Sequence, residues 1–261
     1  MKIGIVYDLD KEATQKLARE VSDWLKERQH DVVEIGQNDV ISEDFEFIVT
    51  FGGDGLVLHT ANRVADCKIP LIRVNFGFVG FLTNIKPEAV FEKLTEILDN
   101  DNYIIKKRSR INVEVKDENG KVVLEKDALN DIVIERVETR AIACKVLVDG
   151  QCSEYRGDGI IFATRTGSTA YAESAGGPTL INDSRFILRV VSPSNREQLP
   201  YLIRSDNTVF KLKKVFGQAR LVIDGNEVMV LACHHLVIQK SEKETLFVEI
   251  GDVQKLNKIG K

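Results

Sequence analysis

No Cys-x-x-Cys pair occurs among the four cysteines, Cys67, Cys144, Cys152 and Cys233. That leaves no thiol-based metal or redox motif, and a reduced, cytoplasmic setting is expected. None of the four histidines, His30, His59, His234 and His235, has zinc-type spacing, so no structural zinc site is expected. No apolar run approaches the length of a membrane span. The opening Met1-Lys2-Ile3-Gly4-Ile5-Val6 is too short and too quickly polar to read as a secretory signal. No long basic run appears and the formal net charge is −4, so neither membrane nor nucleic acid is an expected partner. The cluster Lys106-Lys107-Arg108 with Arg110 reads as a solvated edge or a local phosphate contact. There is no internal repeat and no low-complexity segment. No Ser-His or Cys-His nucleophile is visible, which argues against a covalent hydrolase.

What is present is the balance of a soluble globular protein, 43% hydrophobic and 29% charged over 261 residues. That length suits one large domain or two ordinary ones. Ile3 to Tyr7 reads as a buried strand. Ala13, Leu17, Val21, Trp24 and Leu25 recur at helical spacing, which predicts a helix to about Arg28 with Trp24 on its core face. Val32 to Ile35, Phe47 to Phe51 and Pro70 to Asn75 read as further strands. Pro87 opens a helix with Val90, Phe91, Leu94, Ile97 and Leu98 on one face. Alternating strands and helices predict a wound α/β layer over residues 1–100. After residue 101 alternation takes over, as in Ile111-Asn112-Val113-Glu114-Val115. Asn119-Gly120, Asp149-Gly150 and Asp224-Gly225 each lie between such segments, a hairpin signal. Residues 101–246 therefore read as a mostly antiparallel β domain. A short strand, Leu246 to Ile250, opens a tail over residues 247–261.

The stretch Phe47-Ile48-Val49-Thr50-Phe51-Gly52-Gly53-Asp54-Gly55-Leu56-Val57-Leu58 organises the first domain. An apolar strand ends in a glycine turn and helical spacing follows. In open α/β sheets such a turn lies at the ligand-binding edge. Glycines let a ligand approach the backbone, and exposed N–H groups suit phosphate. Asp54 reads either as a helix N-cap or as a carboxylate that orients a hydroxyl or a metal ion. Asn75-Phe76-Gly77-Phe78-Val79-Gly80-Phe81-Leu82 follows the fourth strand and should sit beside that turn, its phenylalanines lining a slot for a ring or joining the core.

Two further stretches stand in the second domain. Asn130 and Asp131 open the strand Ile132-Val133-Ile134 and offer an amide and acceptors to a base edge and ribose hydroxyls. Residues 156–178 run from Arg156-Gly157-Asp158-Gly159 through the strand Ile160 to Ala163. A hydroxyl- and glycine-rich loop, Thr164 to Thr169, then leads to a short helix, Ala170 to Ala175, ended by Gly176-Gly177-Pro178. Tyr171 is placed to cover a planar ring or donate a hydrogen bond.

Taken together and in this order, Gly52-Gly53-Asp54-Gly55, Asn75-x-Gly77-x-x-Gly80-Phe81-Leu82, Asn130-Asp131, Asp158-Gly159, Thr166-Gly167-Ser168-Thr169-Ala170-Tyr171 and Ser174-Ala175-Gly176-Gly177-Pro178 resemble the NAD kinase family. The glycine turn alone is shared with lipid kinases and phosphofructokinases, but the Thr166 to Tyr171 motif is far more specific. The resemblance implies transfer of a phosphoryl group from ATP, or another donor such as polyphosphate, to the adenosine ribose 2′-hydroxyl of NAD. A divalent metal ion, Mg2+ by preference, is implied as cofactor. Asp54 would be the catalytic carboxylate. Gly52, Gly53, Gly55, Asn75, Phe81, Asn130, Asp131, Thr166, Thr169, Ala170, Tyr171 and Ser174 would serve the nucleotides. Asp158 would reach a neighbouring subunit's site, which implies a homodimer or tetramer. The resemblance also implies a C-terminal tail that returns to the first domain. Leu56 and Arg165 stand where the family usually has Thr and Pro, and Val79 replaces a common Leu. The alternatives are a lipid or other alcohol kinase of the same superfamily, and a non-catalytic NAD-binding module.

Overall fold

The computed structural model describes residues 1–36, 39–78, 80–194, 201–231 and 234–250. The strands are β1 (Lys2–Tyr7), β2 (Asp31–Glu34), β3 (Phe47–Gly52), β4 (Leu71–Asn75), β5 (Tyr103–Lys116), β6 (Val122–Ala128), β7 (Asp131–Arg136) and β8 (Ile142–Val148), then β9 (Gln151–Gly157), β10 (Gly159–Ala163), β11 (Arg185–Val191), β12 (Tyr201–Ser205), β13 (Phe210–Phe216), β14 (Ala219–Ile223), β15 (Asn226–Leu231) and β16 (His235–Ile250). The helices are α1 (Glu12–Glu27), α2 (Asp54–Arg63), α3 (Val90–Leu98) and α4 (Tyr171–Ser174). No helix among the described residues is long and apolar enough to cross a membrane. Val79, Cys233 and the tail beyond Ile250 lie outside the described residues.

The chain divides into two compact units. One is Met1–Lys107 joined by the segment from Glu244, and the other is Arg108–Lys243. In the first, parallel pairings order the strands β2-β1-β3-β4, and the end of β16 joins β4 at Phe247 opposite Leu71. β3 is buried along its whole length, as a central parallel strand covered on both faces must be. The winding direction reverses between β1 and β3, which is where open α/β sheets bind ligands. The core joins Ile3, Val49, Phe51, Ile72 and Val74 to Val21, Leu25, Leu94 and Ile97 of the helices.

The helix face differs by a small rotation from the expected stripe. Thr14, Ala18, Val21, Ser22 and Leu25 are buried, while Ala13 is exposed. Trp24 is half-buried, edge-on to Phe91 and stacked under Arg28. The short strand expected from Leu246 is the end of the 16-residue β16. Arg73, in the middle of β4, is buried: it donates to the carbonyls of Leu82 and Val248 and pairs with Glu249 at 3.0 Å. The end of β16 and the Leu82 loop are thereby tied to one guanidinium.

The second unit carries a six-stranded antiparallel sheet, β12-β11-β10-β7-β14-β15. Its inner face packs on β8, β13 and the first part of β16 through Ile132, Ile134, Phe162, Phe186, Leu188, Phe210, Leu212 and Ile238. All three Asx-Gly pairs are hairpin turns, with positive φ at Asp149, Asp224 and the three glycines. The basic cluster is not simply a solvated edge. Arg110 is only 1% exposed and donates to the Asp127 carbonyl, while Arg108 pairs with Asp183 at 3.4 Å.

Candidate functional site

In the first unit, β3 ends at Gly52 and Gly53 caps α2 through its extended backbone, without a side-chain cap. Asp54 is thus the first helical residue and not the N-cap. Its side chain bridges to the second glycine loop instead: Oδ2 accepts the Phe81 N–H and Oδ1 the Leu82 N–H, both at 3.0 Å. The two loops meet backbone to backbone. A Cβ built on Gly77 would stand 3.1 Å from the Gly53 Cα, an approach that a side chain at Gly77 would crowd. The Phe76 N–H donates to the Gly52 carbonyl, so the loops also share a bond at the sheet edge.

Asn75 braces the second loop. Its Oδ1 accepts the Gly77 N–H at 2.8 Å. The three phenylalanines of that loop part company: Phe76 packs on the core, whereas Phe81 is 60% exposed and Phe78 fully so. Gly55 has open space around its Cα. Leu56 lies directly over Gly52, where a Cβ would collide with its side chain. The Leu56 and Val57 N–H groups both donate to the Gly53 carbonyl, which leaves the Asp54 and Gly55 amides as the ones without a partner in the helix, an anion-favouring end.

In the second unit, β7 and β10 pair so that Asp131 lies opposite Ala163, which brings Asn130 beside the hydroxyl loop. The Asn130 carbonyl accepts the Thr164 N–H, and Thr164 Oγ1 donates to the Leu129 carbonyl at 2.6 Å. Gly167 is pressed against the Asn130 backbone: a Cβ there would stand 2.0 Å from the Asn130 carbonyl oxygen. Residues Gly167–Thr169 form a 3-10 turn that leads into α4. Most hydroxyls of this loop are committed to the chain. Ser168 donates to the Arg165 carbonyl and accepts the Leu180 N–H, Thr169 donates to the Thr166 carbonyl, and Ser174 donates to the Ala170 carbonyl.

Two polar atoms here are buried without a partner among the described residues, Asn130 Oδ1 and Thr166 Oγ1. Buried orphans of this kind ask for a ligand or water. Tyr171 is 41% exposed. Burial, and then the charges of Glu135, Asp158 and Asp131, push its phenol up. Asp131 is buried, and burial first and the Asp224 charge second push its carboxyl up to about 7. Asp158 pairs with Arg136 at 3.2 Å. Arg165 pairs with Asp183 at 2.9 Å. Asp224, visible in the sequence only as half of a turn pair, was missed by sequence reasoning, as were the pairing residues Arg136 and Asp183.

The model of the ATP-NAD kinase N-terminal domain matches residues 35–103, and that of the C-terminal domain matches residues 129–250. The chain belongs to the NAD kinase family. An NAD kinase of Methanocorpusculum labreanum is 37% identical over 265 residues, covering 96% of this chain and 95% of that one. One from Thermococcus sibiricus is 34% identical over 269 residues, covering 97% and 95%. Among solved structures, an NAD kinase from Archaeoglobus fulgidus in complex with ATP superposes with a TM-score of 0.77 at 26% identity, covering 100% of this chain and 97% of that one. Yeast NADH kinase complexed with NADH shares the fold, with a TM-score of 0.85 at 19% identity over 100% of this chain and 86% of that one. An NAD kinase is a transferase that phosphorylates NAD to NADP with ATP. The two glycine loops of the first unit fall within the N-terminal match, and Asn130, Asp131 and the Thr166 to Tyr171 run fall within the C-terminal match.

Proposed function

We propose that this chain transfers the terminal phosphoryl group of ATP to the adenosine ribose 2′-hydroxyl of NAD, with Asp54 as the residue that activates the hydroxyl. One observation carries the reading. Each Asp54 oxygen accepts one backbone N–H, from Phe81 or Leu82, which aims the carboxylate and leaves lone pairs for a substrate hydroxyl. Phosphoryl transfer asks mainly for positioning and charge stabilisation. A carboxylate held by two amides aligns the acceptor oxygen and takes its proton as the bond to phosphorus forms.

The other roles follow from the chemistry of each group. The opening amides of α2 and the glycine backbone at Gly52, Gly53 and Gly55 suit donor phosphates. Asn75 acts by holding the Gly77 turn, and the exposed Phe81 ring offers a face to adenine. The orphaned Asn130 Oδ1 and Thr166 Oγ1 and the Asp131 carboxylate suit ribose and base groups. Thr169, Ala170, Tyr171 and Ser174 wall that place. Asp158 serves a site of a second copy in a homodimer or tetramer. Sedimentation of the intact chain, with Asp158→Ala beside it, tests this. A monomer with full activity rules the shared site out, and a severalfold rise in the KM for NAD in an oligomeric Asp158→Ala supports it. We place the enzyme in the cytoplasm.

The family generally depends on a divalent metal ion. Among the described residues no group of three or more His, Cys, Asp or Glu side chains could hold one, so a zinc-type cage does not fit. Asp54 alone does fit Mg2+, which is held by one or two carboxylates with substrate phosphates and waters. Bound there, the ion would neutralise charge on the phosphates.

The test is NADP formation from NAD, MgATP and purified protein, read with an NADP-specific dehydrogenase. A signal that requires both substrates is expected. A signal with polyphosphate but not ATP changes the donor, and silence with both, beside measurable NAD binding, rejects catalysis. Because Leu56 packs over Gly52, its role is steric. Leu56→Thr is therefore expected to cost about 1 kcal/mol of stability and to leave turnover within about twofold, a shift of less than half a unit in log rate. A large gain in rate would show instead that a hydroxyl belongs beside the phosphates.

A further inference from the structure

A turn aspartate usually bonds within its own turn or faces water. Asp224 does neither. Its φ of 48° and that of Gly225, 79°, make the tight β14–β15 hairpin, yet the residue is only 6% exposed. Its carboxylate leaves the hairpin altogether. Oδ2 accepts the Leu129 N–H at 2.9 Å, and Oδ1 accepts the Asn130 N–H at 2.7 Å and the Asp131 N–H at 3.1 Å. The Asp224 N–H donates back to the Asp131 carbonyl at 3.0 Å. Four bonds thus join one turn residue to one tripeptide.

Three successive amides converging on one anion form a nest, and charge-assisted bonds to it are short and strong. The same tripeptide is held from its other side by Thr164 and Gly167. Its backbone therefore has little freedom, and the directions in which Asn130 and Asp131 leave it are set. We infer that Asp224 is a positioning residue for the nucleotide: its carboxylate fixes the Leu129–Asp131 backbone so that the Asn130 amide and the Asp131 carboxylate are preorganised for NAD. The inference rests on the proposed role of Asn130 and Asp131.

The arrangement has an electrostatic consequence. Asp131 feels the Asp224 charge from the β14–β15 turn, and its own charge is felt by the Tyr171 phenol of α4, which also feels Glu135 and Asp158, themselves paired with Arg220 and Arg136. Burial first and the Asp224 charge second push the Asp131 carboxyl up to about 7, above the usual carboxylate range. Removing the Asp224 charge lowers that pKa, because a like charge disfavours ionisation.

The test compares Asp224→Asn, Asn130→Ala and the unaltered full-length protein in KM for NAD, KM for ATP, kcat, melting temperature and pH profile. Asp224→Asn keeps the shape and one acceptor oxygen but sets an NH2 against the Leu129 N–H. The expected result is a KM for NAD raised tenfold or more, with kcat at saturating NAD and KM for ATP within threefold. The limb of the NAD-binding pH profile that belongs to Asp131 should move to lower pH. A folded Asp224→Asn with KM for NAD within twofold of the parent overturns the inference, as does a rise shared equally by ATP. Should Asn130→Ala leave NAD binding unchanged, the site reading itself fails, and that outcome is separate. If Asp224→Asn does not fold, amide exchange in the unaltered protein decides. Leu129, Asn130 and Asp131 must be protected and slowed further by NAD, and exchange indifferent to NAD overturns the proposal.

Discussion

Asp54→Asn is expected to lower kcat by about 10²–10⁴-fold, the usual worth of a general base, while NAD still binds. The asparagine side chain matches the aspartate in shape, so the glycine turn keeps its form. It has one acceptor oxygen where two are in use. Either the Phe81 or the Leu82 N–H would then face an NH2 group, since the two amides divide the carboxylate between them. That mismatch costs about 1–3 kcal/mol if the amide stays dry and less here, because Asp54 is only half-buried. Stability and chemistry should therefore separate: a small fall in melting temperature beside a near-total loss of NADP formation, with NAD binding followed by calorimetry. Turnover within tenfold of the parent would remove Asp54 from proton transfer and leave it as a brace between two loops.

Gly167→Ala is expected to disable the second unit's site. The added methyl would lie 2.0 Å from the Asn130 carbonyl oxygen, 2.4 Å from its carbon and 2.9 Å from its Cα. All three are backbone atoms, so no flexible side chain can yield. Either the 3-10 turn moves away or Asn130 does, and the Thr164 bonds to Leu129 and Asn130 break with it. Overpacking of this kind costs about 1–3 kcal/mol and at times more. NAD affinity should fall by a hundredfold or so, since about 2.7 kcal/mol of lost orientation corresponds to that factor. Calorimetric titration with NAD and a thermal melt measure both effects. A variant that binds NAD within threefold of the parent would mean that the loop does not set the Asn130 position.

Much of this architecture was legible before the structure. The Phe47 to Phe51 run is a buried central strand, and the glycines that follow it form the turn into α2. The three Asx-Gly pairs are hairpins because positive φ is a demand that Gly and Asp answer locally. The Asn75 loop lies against the Gly53 turn, as two adjacent parallel strands ending at one sheet edge require. Trp24, Ala13 and Arg110 were less legible. A stripe of period 3.6 tells which face is apolar on average, while the depth of each residue depends on what packs over it. Buried Thr14 and Ser22 rotate the face of α1, and Arg110 is buried although its basic neighbours suggested solvent.

The sequence by itself determined the strands, the glycine turns, the hairpins and, through its ordered motifs, the family. Each of these rests on periodicity, on backbone conformations few residues accept, or on residues adjacent in the chain. Only the tertiary structure decided what the functional side chains touch. Asp54 bonds to amides 27 and 28 residues away, Asp224 to amides 93 to 95 residues away, and Arg165 to a carboxylate 18 residues away. A hydrogen bond depends on distances of tenths of an ångström and on direction. Those are set by strand register and by the crossing of chain segments far apart in sequence, which no local pattern encodes.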